Sequence, residues 1–273
     1  MAFPSAHAMI AVKPIKAHPS RRGTIRVAAI LPVELAFSHG VGYDIPARSV
    51  DIGMGGMCVQ TESIIDTEAV RSVRVALGGN RVEIDVRSRW NTELGGNGGP
   101  ASGLVFEELG DAMKMWLWDY IQKRGRDLGM FLSSCEGLDQ LNFEEALELA
   151  LSTRLREVRS GDIVYQGGDD EGAASICALM GGSVMLEPAN GRCNQRISTV
   201  EPRELFGGLP VVAGCMPIER AVAVEDATVL EFSGYAVENL LETKPHLGVA
   251  LLRAASFHWI RRFAEVLDRT LAT

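Results

Sequence analysis

Hydrophobic and polar positions change period several times along this chain. From Thr24 to about Phe106 the apolar residues fall in short runs or alternate: TIRVAAILPVELAF, SVRVAL and RVEIDVRSRW, where Val82, Ile84 and Val86 share one face. That period of two predicts β-strands, and glycines clustered within 53–56, 78–79 and 95–99 predict the turns between them. Over 110–124 the period lengthens. Met113, Leu117, Tyr120 and Ile121 recur at helical spacing, which predicts a helix closing the strand unit, with Trp116 and Trp118 as packing aromatics beside the stripe.

A second unit begins near Met130. Residues 137–151 predict an amphipathic helix offering Leu141, Ala146, Leu149 and Ala150 to a core. Short strands resume at Thr153–Val158 and continue to Phe232. Helices over Ala236–Leu241 and Gly248–Leu271 follow, separated by Thr243-Lys244-Pro245. In the last helix Val249, Leu252, Ser256, Trp259, Phe263, Val266 and Thr270 alternate at spacings of three and four, a heptad seam widened by Leu251, Ile260 and Leu267. A stripe this broad can serve two surfaces. It predicts a homodimer through the C-terminal helix, with Trp259 and Phe263 near its centre. Residues 1–20 hold three prolines without a sustained period and read as a flexible, mildly basic arm. The expected fold is mainly β with helices: a strand barrel over 21–126, then a β-roll with flanking helices over 130–273.

Composition narrows the function classes. The chain has 273 residues, 47% hydrophobic and 23% charged, as in a folded globular protein of about two domains. Lys+Arg 27 against Asp+Glu 35 gives a net charge of −8. Such a chain is not built to coat nucleic acid or an anionic membrane by bulk charge, so no DNA and no membrane partner is expected. The five cysteines form no CxxC and no Cys/His pair, which argues against a metal site and for buried thiols in a reducing compartment. No apolar run suits a signal peptide or a membrane span, so a cytoplasmic location is expected. No Walker A loop, GxGxxG, HExxH or GxSxG occurs. The carboxylate runs at Glu107-Glu108, Glu144-Glu145 and Asp169-Asp170-Glu171 sit in polar surroundings, and the five histidines are scattered. No catalytic residue, metal or cofactor is expected; this does not read as an enzyme.

Two short motifs stand in the first unit. Arg21-Arg22-Gly23-Thr24-Ile25-Arg26 leads into the first strand, and Asp51-Ile52-Gly53-Met54-Gly55-Gly56 follows a later one. Together they resemble the RxxxR and (D/N)xSxxG motifs of the PilZ family. Arg22 and Arg26 fill the arginine positions, Asp51 the acidic position and Gly56 the final glycine, whereas Gly53 replaces the hydroxyl residue. Arg89-Trp90, Gly103–Phe106 and the following helix extend the likeness over about residues 20–125. The resemblance implies a six-stranded β-barrel that binds cyclic di-GMP through Arg21, Arg22, Arg26, Asp51, Gly53 and Gly56. Arginine suits that ligand, because its planar fork can bond guanine, stack on bases and pair with phosphate. A carboxylate at Asp51 can accept from guanine N–H donors, and Gly56 allows close backbone approach. Losing the hydroxyl at 53 is expected to weaken binding, and restoring it to be neutral or to strengthen binding.

The second unit resembles the cyclic-nucleotide-binding domain family, which includes the cAMP receptor protein and kinase regulatory subunits. Phe206-Gly207-Gly208-Leu209 and Ala223–Leu230 carry the likeness. It implies a β-roll of the jelly-roll kind, but Gly208 stands at the family's ribose-binding glutamate and Pro217 at its phosphate-binding arginine. Neither offers the needed group. A three-residue slip would bring Arg220 to the phosphate position and would break the match at Ala223–Leu230. The expected function is a cytoplasmic cyclic di-GMP receptor whose second unit dimerises or relays to a partner protein. The alternatives are a ligand-independent adaptor and a cAMP or cGMP sensor.

Overall fold

The computed structural model describes residues 25–37, 45–77, 79–93, 99–166, 175–189, 197–213 and 218–271. The first unit is built on β1 (Arg26–Ala28), β2 (Pro32–Phe37), β3 (Ile45–Gly53), β4 (Gly56–Gln60), β5 (Val70–Leu77), β6 (Asn80–Thr92) and β7 (Ala101–Phe106). Pairing runs β3-β2-β5-β6-β7-β4 and returns to β3, so six antiparallel strands close into a barrel. Closure leaves that ring without free edges. Leu35, Ile52, Val59, Val73, Leu77 and Leu104 fill it.

β1 is the added strand. It pairs with Asp51–Gly53 of β3, while β2 pairs with Ile45–Arg48 of the same strand. The run TIRVAAILPVELAF is therefore two strands aligned along β3 with a break at Ala29–Leu31. Ser49, fully buried, spans the break: its hydroxyl donates to the Ala29 carbonyl at 2.5 Å and accepts from the Leu31 N–H at 2.9 Å. Buried backbone groups left by a strand break need such partners.

α1 (Asp111–Ser133) closes the barrel with Leu117 and Ile121, as the periodicity predicts. It extends well past the predicted end at Arg124. Gly125 and Gly129 fail to stop it because they lie under α2 (Phe143–Ala150). A β-carbon at 125 would stand 2.9 Å from Leu147 Cδ1, and one at 129 would stand 3.1 Å from the Leu147 nitrogen. Glycine costs about 1 kcal/mol in a helix interior, and here close helix packing offsets it. α2 is shorter than the predicted 137–151. Asn142 sets its start, its side chain accepting from Glu145 N at 3.0 Å while the Glu145 carboxylate accepts from Asn142 N at 2.9 Å. That capping box fixes the first turn.

The second unit holds two four-stranded sheets. One orders β13 (Leu205–Gly207), β10 (Ile176–Gly181), β15 (Ala227–Phe232) and β8 (Arg154–Val158). The other orders β12 (Ser198–Val200), β11 (Val184–Pro188), β14 (Glu219–Ala223) and β9 (Ile163–Tyr165). Tyr165, Leu179, Leu186, Val200, Phe206 and Val229 pack between the sheets. The outer face of the first sheet, with Leu155, Ile176, Leu230 and Phe232, packs on the end of α1, on α2, and on α4 (Gly234–Thr243) and α5 (Pro245–Leu271). α3 (Leu209–Ala213) follows β13. The architecture is mainly β with helices, as expected.

α5 buries Leu247, Leu251, Ala254, Ala255, His258 and Arg262. The predicted seam residues Val249 and Phe263 are exposed, together with Ile260, Leu267 and Leu271. Trp259 is only partly covered. Trp116 packs on the barrel core, but Trp118 is exposed rather than packed. Cys58, Cys135 and Cys177 are buried. Burial pushes the Cys135 thiol up to about 12, so it stays protonated. No helix among the described residues is long and apolar enough to cross a membrane, and no described cluster of His, Cys, Asp and Glu has the makings of a metal site.

Candidate functional site

The β1–β3 register brings four of the six predicted site residues together. Arg26 lies opposite Gly53 and Ala28 opposite Asp51, so Arg26 and Asp51 are diagonal neighbours across the pair. Arg26 Nη1 donates to Asp51 Oδ1 at 2.6 Å. The arginine side chain is 23% exposed and the aspartate 10%, so this ion pair is only partly wet. Gly53 has no space for a side chain here. A β-carbon on it would stand 2.6 Å from Arg26 Cγ and 2.5 Å from the Ile25 carbonyl oxygen. The stem of Arg26 therefore crosses directly over Gly53 to reach Asp51.

Gly56 opens β4 opposite Gly53 across the Met54-Gly55 turn. Its φ is +155°, and a β-carbon would lie 2.1 Å from the Leu104 oxygen. Glycine is required there by the β4–β7 contact, in addition to any ligand. Arg21 and Arg22 lie outside the described residues.

β1 also joins the two units. Val27 packs into the barrel core and Ala28 into the core of the second unit. Arg124 Nε of α1 donates to the Ala28 carbonyl at 3.2 Å. Arg48 on β3 pairs with Glu157 on β8 at 2.5 Å, beside a cleft of about 680 Å³ lined by Pro32, Pro46, Thr61 and Glu62 among others. A change at Arg26 thus lies one or two residues from contacts that reach the roll.

In the roll the two departures from the nucleotide-binding pattern have different outcomes. Gly208, with φ +75°, would place a β-carbon 2.4 Å from Ile176 Cγ1, so no glutamate fits there in this conformation. Pro217 lies outside the described residues. Arg220 faces outward. β14 alternates, with Glu219, Ala221 and Ala223 inside and Arg220 between them, paired to Glu187 by Nη2 at 2.6 Å and Nε at 2.8 Å. The slipped alignment that would aim Arg220 into the roll is at odds with this register.

The interior instead holds a polar cluster that the sequence motifs did not reveal. Tyr165 Oη donates to Glu219 Oε1 at 2.6 Å, both buried. Arg262 of α5, also buried, donates to the Leu205 carbonyl at 2.7 Å and to Glu204 Oε2 at 3.4 Å. Burial raises the Glu219 carboxyl above its usual value, against the opposing pull of the Tyr165 bond and the Arg262 charge. Burial likewise raises Tyr165, aided by the neighbouring Glu219 charge. Two signals pointed to this cluster. Glu219 shares the alternation of Ala221 and Ala223, and Leu251, Ala255, His258 and Arg262 recur at helical spacing along one face of α5.

No family model matches the chain, and no curated protein matches it. Solved structures do. It is similar to a cyclic nucleotide-binding domain from Methylobacillus flagellatus, at 19% identity over 55% of this chain and 84% of that one, TM-score 0.47. The sensor domain of the transcriptional regulator DNR from Pseudomonas aeruginosa matches at 22% identity over 52% and 94%, TM-score 0.41. The N-terminal domain of a transcriptional regulator from Streptomyces coelicolor matches at 22% over 50% and 95%, TM-score 0.40. These are likenesses of shape and do not identify a ligand.

Proposed function

We propose that the chain is a non-enzymatic receptor for cyclic di-GMP, in which the barrel takes the ligand and the roll relays its state. One observation carries the reading: the arginine of one motif and the aspartate of the other are joined at 2.6 Å between the added strand β1 and strand β3 of the closed six-stranded barrel. The two motifs lie 25 residues apart in the chain, yet they converge on one edge. Arg26 can exchange part of its bond to Asp51 for a phosphate or guanine edge, with Arg21 and Arg22 supplying further cations from the preceding segment. Because β1 packs its next residues into both cores, that exchange is felt in the roll. The output is a partner protein or a second copy of the chain, docked on the exposed face of α5, where Ile260, Phe263 and Leu271 stand open. Calorimetric titration of the whole chain with cyclic di-GMP, cAMP and cGMP in parallel tests the reading, which requires heat with the first alone.

A specific observation favours a second reading, the ligand-independent adaptor. Among the described residues, Arg26 already has a partner, and residue 53 offers no hydroxyl and no room for one. On that reading none of the three nucleotides gives heat. The cAMP or cGMP sensor has less support, since Gly208 is closed off by Ile176 and Arg220 points away from the interior.

A further inference from the structure

His258 has no exposed surface, although it lies on a helix whose last turns stand in solvent. Three elements enclose it. From the α1–α2 connection, the Glu136 carbonyl lies 3.1 Å from Nε2, and the Glu136 carboxylate accepts from Arg261 Nη1 at 2.7 Å. From the segment before β13, the Glu204 carboxylate accepts from Arg261 and Arg262. From α5 itself, Arg261 Nη2 lies 3.4 Å from His258 Nδ1, and the Phe257 ring meets the imidazole edge-on at 5.6 Å. Arg262 donates onward to the Leu205 carbonyl, two residues before the Gly207–Gly208 turn.

These contacts select a protonation state. A backbone carbonyl only accepts, so Nε2 must carry the proton. A guanidinium only donates, so Nδ1 must be bare. The neutral Nε2–H tautomer satisfies both neighbours at once. A second proton, on Nδ1, would face Arg261 donor to donor and add a positive charge beside two guanidiniums. The two carboxylates that could answer it, Glu136 and Glu204, are already engaged by those arginines. Burial and the arginine charges also hold the imidazole below its ordinary value.

The same turn holds the last buried side chain of α5. Arg262 is the final buried residue of the helix; over 263–271 only Val266 is even partly covered. Beyond it, Arg269 donates to the Ile197 carbonyl.

We propose that His258, Arg261 and Arg262 form an acid-released latch, closed on a neutral His258, which holds the 258–262 turn of α5 against the α1–α2 connection and the start of β13 and so steadies the exposed turns beyond it. The sign follows from linkage. A group that is harder to protonate in the closed state makes opening take up one proton, so closure is complete above the free imidazole value and weakens as pH falls toward the lower closed-state value. The latch needs no ligand and stands whether or not the barrel binds cyclic di-GMP.

Hydrogen exchange of the full chain, read on peptides spanning 255–271 and corrected for intrinsic rates, tests it between pH 7.5 and pH 5. Opening is expected to change little above the free imidazole value of about 6.5 and to rise below it, by at most about tenfold per pH unit. In His258→Gln, whose amide can still donate to the Glu136 carbonyl but takes up no proton, the profile is expected to be flat. A flat wild-type profile, or the same rise in His258→Gln, overturns the latch. Should that variant not fold, the wild-type imidazole proton resonance decides. Titration at or above the ordinary histidine value of about 6.5 contradicts the proposal, and titration below it together with the exchange rise supports it.

Discussion

Arg26 and Gly53 stand opposite one another across the β1–β3 pair, and the arginine's Cγ lies 2.6 Å from where a β-carbon on residue 53 would be. The arginine reaches Asp51 only because residue 53 has no side chain. The absent hydroxyl is thus a geometric requirement of this β1 placement, whereas sequence comparison alone casts it as a lost contact.

Gly53→Ser is therefore expected to displace β1 or turn Arg26 away from Asp51. Overpacking of this kind costs typically 1–3 kcal/mol. Chemical denaturation should show the loss, and cyclic di-GMP binding should weaken alongside it. Unchanged stability with tighter binding would return to the expectation drawn from the motif.

Arg26→Ala removes a charge-assisted bond from the ligand and from Asp51. On the receptor reading the binding loss is about 1.5–3 kcal/mol, or roughly 10- to 100-fold in affinity. Arg26→Lys keeps the charge without the planar fork and should recover only part of it. Equal affinities for wild type and Arg26→Ala would remove this arginine from the site.

Glu219 gives a pH signature inside the roll. Its carboxyl is raised by burial, so its share of stability is complete below the ordinary carboxylate value and is lost as pH rises through the folded-state value. Glu219→Gln keeps an acceptor for Tyr165 and cannot ionise. Its melting temperature relative to wild type should therefore increase between pH 5 and pH 8. A constant or decreasing difference would mean that the Arg262 charge outweighs burial.

For assembly, Phe263 is 56% exposed on the protomer, so a charge there is tolerated by the chain itself. An unpaired charge buried between two copies is strongly disfavoured, by about 3–5 kcal/mol on the scale of broken buried pairs. Phe263→Glu should give a folded monomer by light scattering where the wild type is a dimer. A wild type that is monomeric at tens of micromolar contradicts the dimer.

Much of this fold is legible along the chain. Alternation at Val82, Ile84 and Val86 and the stripe at Leu117 and Ile121 mark real elements, because a buried face imposes its period locally. What was hidden depends on contacts far apart in sequence. Gly125 and Gly129 look like helix stops until Leu147 lies against them. Ser49 mends a strand break 18 to 20 residues away. In the barrel site, residue types could be read from the motifs but not the clash that excludes a side chain at 53. The roll cluster is spelled by no short motif: the alternation at Glu219 and the helical spacing at Arg262 mark each residue as inward-facing, but Tyr165, Glu219 and Arg262 meet only after β9, β14 and α5 pack.

Calorimetric titration of the full chain with cyclic di-GMP tests the central claim most directly. The expected result is saturable heat with cyclic di-GMP, its affinity lowered in Arg22→Ala and Arg26→Ala, and no heat with cAMP or cGMP. An absence of heat with cyclic di-GMP at high micromolar ligand would contradict the receptor and leave the adaptor standing.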